Sequence, residues 1–172
     1  MMPSLFMQRL DGWARASMPM TLTLVMVVLN VVPLRLPDYA PLAPGFVLMA
    51  AFYWTVHRPD LMRPWAMFAI GLLDDVLSGT SLGVNALVLL FVHWMIMSQH
   101  KAFRGQSFVV VWLGFAMVAL GAKLLLAVIV PLVGYGLLDP LVLLVQYTLT
   151  VALYPPIAFV MGRAQRALLP VP

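Results

Sequence analysis

Six apolar runs, at about 18–34, 41–56, 64–78, 84–99, 106–132 and 140–162, fill most of a 172-residue chain and leave only short polar breaks. An α-helix needs about 20 apolar residues to cross a bilayer, and in lipid the backbone must satisfy its own polar groups. The pattern predicts an all-α integral membrane protein with six transmembrane helices. Composition agrees: 63% of residues are hydrophobic and 9% charged, against about 25% charged in a soluble domain. The mean hydropathy is +1.00. No polar segment is long enough to fold separately, so residues 1–172 read as a single membrane domain.

Charge placement orients the bundle, because Lys and Arg in short loops collect on the cytoplasmic side. With the N-terminus inside, Arg9, Arg15, Arg58, Arg63, Lys101, Arg104, Arg163 and Arg166 are cytoplasmic. The outside loops keep only Arg35, and Lys123 falls within the fifth run. The topology is therefore N-in and C-in, with residues 163–172 as a cytoplasmic tail. A cleaved signal peptide is not expected, since the run after Arg15 is long and no clear small-residue cleavage site follows it. The net charge of +4 comes from basic residues in ones and twos, which suits anionic lipid headgroups and not nucleic acid. Residues 4–17 set Phe6, Leu10, Trp13 and Ala14 against Gln8, Arg9, Asp11 and Arg15, the pattern of a surface-lying amphipathic helix or a frayed lead-in to the first span.

Within this frame the stretch 71–87, GLLDDVLSGTSLGVNAL, stands apart. It places Asp74 and Asp75 in an apolar run and then turns through Gly79 and Gly83 before Asn85. Ionisable groups at membrane depth are expensive and face a bundle interior or water. Between Arg63 and Lys101 each leg of this hairpin has roughly 16 residues, or about 24 Å of helix, less than the roughly 30 Å of a hydrocarbon core. Either the bilayer thins here or the turn stops short of the outer surface. The expectation is that the other four helices surround the turn and that it forms the core of the architecture.

At helical rise, Asn30, Asp75, Asn85, Lys123 and Gln146 all fall in the outer half of the membrane. They suggest a polar pocket opening outward, or, alternatively, local hydrogen bonding and helix packing with Lys123 snorkelling toward the surface. Pro155 and Pro156 interrupt the last run and predict a bend in it. His93 reads as a satisfied packing histidine rather than a ligand.

Catalytic signatures are missing. The chain has no cysteine, no glycine-rich phosphate loop, no HExxH and no GxSxG. Adjacent aspartates on a helix point about 100° apart, so Asp74 and Asp75 cannot act together as an acid/base pair. No catalytic residue, metal site or cofactor is assigned.

The motif Gly71-Leu72-Leu73-x-Asp75-x-x-x-Gly79-x-x-Leu82-Gly83-x-x-Ala86-Leu87 resembles that of the bacterial rod shape-determining MreD family. Length, six runs, Tyr53-Trp54 before Pro59, and Tyr154-Pro155 before a basic end are similar to that family as well. In this resemblance Asp75 matches the family's aspartate and Asp74 is an extra carboxylate. What the resemblance implies is a non-enzymatic inner-membrane component of the cell-elongation machinery. Such a component binds the bitopic protein MreC and works in a complex with MreB, RodA and its penicillin-binding transpeptidase to direct side-wall peptidoglycan synthesis. It also implies a fold similar to the substrate-binding components of energy-coupling-factor transporters.

Three functions compete. A scaffold would receive the MreC transmembrane helix on a lateral face. A transporter component would bind a small solute or lipid in the outer pocket. An enzyme acting on a lipid-linked substrate would need convergent charged groups, which Lys123 and the divergent aspartates do not supply. Self-association is left open.

Overall fold

The computed structural model describes residues 20–30, 44–99, 105–134 and 136–168. Among these, regular structure is entirely α-helical, in six helices: α1 Met20–Asn30, α2 Phe46–His57, α3 Pro64–Ser78, α4 Val84–Ser98, α5 Phe108–Leu132 and α6 Pro140–Leu168. The surface helix expected at 4–17, the loop holding Arg35 and the loop holding Lys101 and Arg104 lie outside the described residues.

The centre of the bundle is α2. Every residue from Val47 to Thr55 is buried, as a helix that is apolar all round must be. It packs on α4 and α6, while α4 also contacts α5, and α5 contacts α6. Phe52 of α2 meets Phe115 and Tyr154 edge-on at 5.1 and 5.7 Å, and those two rings stack at 4.1 Å. This trio ties α2, α5 and α6 together. The helix ends at Arg58, which leaves the helical region at φ −142° before Pro59, as the residue preceding a proline is disfavoured in the α region.

This arrangement corrects the expectation that the α3–α4 turn is the enclosed core. Ser78, Gly79 and Thr80 are exposed and Leu82 is 70% exposed. A turn needs enclosing helices at membrane depth only if its polar backbone lacks partners, and here Asp75 supplies them, as described below.

The outer faces are apolar. Trp65, Val76, Trp94, Leu113, Met117 and Leu124 are all well exposed, a surface suited to lipid and an aggregation liability in water. Among the described residues two helices, α5 and α6, are both long and apolar enough to cross a membrane. The α3 and α4 legs have 15 residues each, about 22 Å of helix.

Helix α6 continues through Pro155 and Pro156 and carries Arg163 and Arg166 on its last turns. Proline at 155 leaves the carbonyl four residues back, that of Val151, without its helical donor. The Trp112 indole N–H donates to that carbonyl at 2.9 Å, so the vacated acceptor is paired while the helix continues.

Candidate functional site

The hairpin is built from three glycines and one carboxylate. Gly71 sits where α3 crosses α4: a Cβ at this position would run into the backbone of Asn85 and Ala86, so the two helices approach as closely as small residues allow. Gly79 ends α3 in the left-handed region at φ 68°, the usual conformation of a glycine C-cap. Gly83, at φ 98°, precedes the first residue of α4 and offers no side chain to cap it.

Asp75 fills that role from the neighbouring helix. Its Oδ2 accepts the Gly83 N–H at 2.8 Å, and its Oδ1 accepts the Asn85 N–H at 3.0 Å and the Thr80 hydroxyl at 2.9 Å. Its side chain is completely buried. Both oxygens therefore act as acceptors at the positive end of α4, where orphan N–H groups and the helix dipole favour a carboxylate. The Asp75 carbonyl closes the other end of the turn by accepting the Thr80 N–H at 3.1 Å.

Asp74 points elsewhere. It accepts from the Asn30 amide at 3.2 Å and lies 3.5 Å from the Ser78 hydroxyl, joining α1 to α3. With Asn30, Asn85, Lys123 and Gln146 it lines a cavity of about 560 Å³ at the turn end of the bundle. Apolar walls come from Leu48, Leu89 and Leu126. Lys123 does not snorkel outward; its ammonium donates to Gln146 Oε1 at 2.7 Å. One turn further along α6, Thr150 accepts the Gly45 N–H at 3.0 Å and donates to the Gln146 carbonyl at 2.6 Å, which fixes the start of α2 against this corner.

The five polar residues picked out at one depth in the sequence are thus divided. Asn30, Asn85, Lys123 and Gln146 line the cavity, whereas Asp75 clamps the turn and the adjacent Asp74 takes the place beside them. Ser78 and Thr80 line the cavity as well. They were overlooked as ordinary turn residues, although Thr80 directly after a C-cap glycine is a local signal for a hydroxyl that reaches back. His93 is buried, and among the described residues its Nδ1 has no hydrogen-bond partner, so at that atom it departs from the satisfied packing histidine expected. Pro155 and Pro156 lie away from this cavity, with Pro155 at a second one toward the other end of α6.

Chemically, the cavity offers one carboxyl group, one ammonium and several amides and hydroxyls, a set suited to binding. Among the described residues no three His, Asp or Glu side chains come together as metal ligands.

No solved structure matches the chain. The family model described as rod shape-determining protein MreD matches residues 13–163. That stretch spans the hairpin, its clamp and the cavity residues, and the chain belongs to the MreD family of rod shape-determining proteins.

Proposed function

We propose that this protein is a non-enzymatic scaffold of the cell-elongation complex in the bacterial inner membrane, with six spans and both termini in the cytoplasm. It binds MreC directly through that protein's transmembrane helix and joins MreB, RodA and its penicillin-binding transpeptidase in placing side-wall peptidoglycan. Membership of a rod shape-determining family carries this reading. The exposed apolar faces of α3, α5 and α6 supply surface on which a single partner helix can pack in lipid. The Asp75 clamp supports a shape-giving role, because its three hydrogen bonds fix how α3 meets α4 and chemistry is not needed to explain them.

The test is co-purification in mild detergent with full-length MreC and with MreC lacking its transmembrane helix. Recovery of the first and loss of the second is expected. Failure of both to associate would overturn the scaffold.

The cavity beside Asp74 favours a second reading, a small-solute or lipid-binding component with an outward-facing site. Saturable binding of a solute, lost in Asp74→Ala, would support that reading; a fold similar to energy-coupling-factor components would accompany it.

A further inference from the structure

A second cavity, of about 630 Å³, opens between α2, α5 and α6 at the end of the bundle opposite the α3–α4 turn. Its lining mixes apolar and polar side chains. Phe108 and Phe159 form an apolar mouth, both more than half exposed. Its polar lining comes from Arg166, His57, Gln165 and Gln106, and among the described residues lining it none is acidic.

The polar lining is organised by Tyr53. The Tyr53 hydroxyl donates to Gln165 Oε1 at 3.0 Å. Its ring stacks on the His57 imidazole at 4.1 Å and 20°. His57 Nδ1 lies 2.8 Å from the Tyr53 carbonyl, an oxygen that can only accept, so Nδ1 carries the proton and Nε2 of the neutral ring is an acceptor for a hydroxyl. Gly162 leaves open the wall beside the Tyr53 hydroxyl, which would sit 3.4 Å from any Cβ there. Arg163 adds a second guanidinium at the rim, 5.5 Å from the centre of the Phe159 ring.

An apolar mouth beside a cationic group with no acidic residue among the described lining fits an amphiphile with an anionic head. We propose that this cavity binds one anionic phospholipid, its phosphate held by Arg166, a headgroup hydroxyl donating to His57 Nε2, and an acyl chain lying between Phe108 and Phe159. Basic pockets between helices on the cytoplasmic side bind such headgroups, and the planar fork of an arginine matches phosphate oxygens. A docked partner helix is the weaker fit, since it would leave the guanidinium facing an apolar or amide surface. The proposal rests on the inside placement of both termini, which puts this end at the inner leaflet. It does not depend on MreC.

Thermal unfolding of the purified full chain in detergent, without MreC, tests it. The midpoint is followed with added phosphatidylglycerol, with phosphatidylcholine of the same acyl chains, and with inorganic phosphate. The wild type is compared with Arg166→Gln, His57→Gln and, as a cytoplasmic-side control outside the cavity, Arg63→Gln. Phosphatidylglycerol alone should raise the midpoint, and Arg166→Gln should weaken its apparent affinity about tenfold, as expected for one lost charged hydrogen bond. His57→Gln should weaken it in the same direction, and Arg63→Gln should behave as wild type. Equal stabilisation by phosphatidylcholine, full stabilisation by inorganic phosphate, or equal losses in Arg166→Gln and Arg63→Gln would overturn the proposal. Any of these would leave the MreC result untouched.

Discussion

Asp75, near the end of α3, accepts the backbone N–H of Gly83 at 2.8 Å and so caps a helix to which it does not belong. Together with the bonds to Asn85 and Thr80, this makes one buried side chain responsible for the geometry of the hairpin. Asp75→Asn keeps the shape but exchanges one acceptor oxygen for a donor facing a backbone N–H. A buried donor left unpaired costs about 1–3 kcal/mol. The variant should unfold at a clearly lower temperature in detergent, and Asp75→Ala lower still; a wild-type midpoint for Asp75→Asn would contradict the clamp.

Gly71 and Gly79 should respond differently to alanine. At Gly79 the penalty is the left-handed backbone alone, about 1–2 kcal/mol, since nothing lies near the added Cβ. At Gly71 the added carbon meets the backbone of Ala86, and helices must separate to admit it, at about 1–3 kcal/mol or more. Melting of the two variants side by side should therefore rank Gly71→Ala as the more damaging.

The Trp112 bond to the Val151 carbonyl invites a double-mutant cycle. Trp112→Phe removes the donor while keeping an aromatic ring, with an expected loss of about 1 kcal/mol. In a Pro155→Ala background the restored backbone N–H of residue 155 can pair with the Val151 carbonyl, so Trp112→Phe should matter much less there. Additive losses in the cycle would show that the indole does not serve this carbonyl.

Orientation can be read chemically because the chain contains no cysteine. Ser78→Cys at the turn and Gln106→Cys at the start of α5 place single thiols at opposite ends of the bundle. In intact spheroplasts a membrane-impermeant maleimide should label the first and spare the second until the membrane is opened. The reverse pattern would invert the topology and move the phospholipid cavity to the outer leaflet.

The sequence made the helices and the hairpin legible, for different reasons. Runs of apolar residues broken by HRPDLMRP and GYGLLD mark helix boundaries locally, and Gly79 and Gly83 mark the turn because each has a positive φ. The central place of α2 was hidden: a uniformly apolar segment has no polar face to show whether protein or lipid surrounds it. The division between Asp74 and Asp75 was hidden as well. Their 100° separation is local, but which one faces α4 depends on the rotation of α3, set by the close contact of Gly71 with Ala86. The pairing of Trp112 with Val151 joins residues 39 apart, and no local pattern announces it. The phospholipid cavity combines side chains from three helices and left no motif.

The role of the clamp in partner binding is tested most directly by measuring how much MreC co-purifies with Asp75→Ala, normalised to the amount of inserted protein, beside the wild type. A scaffold whose bundle is shaped by Asp75 predicts that MreC recovery falls sharply and that cells depending on the variant lose their rod form. Normal insertion, wild-type recovery of MreC and normal rods would contradict it.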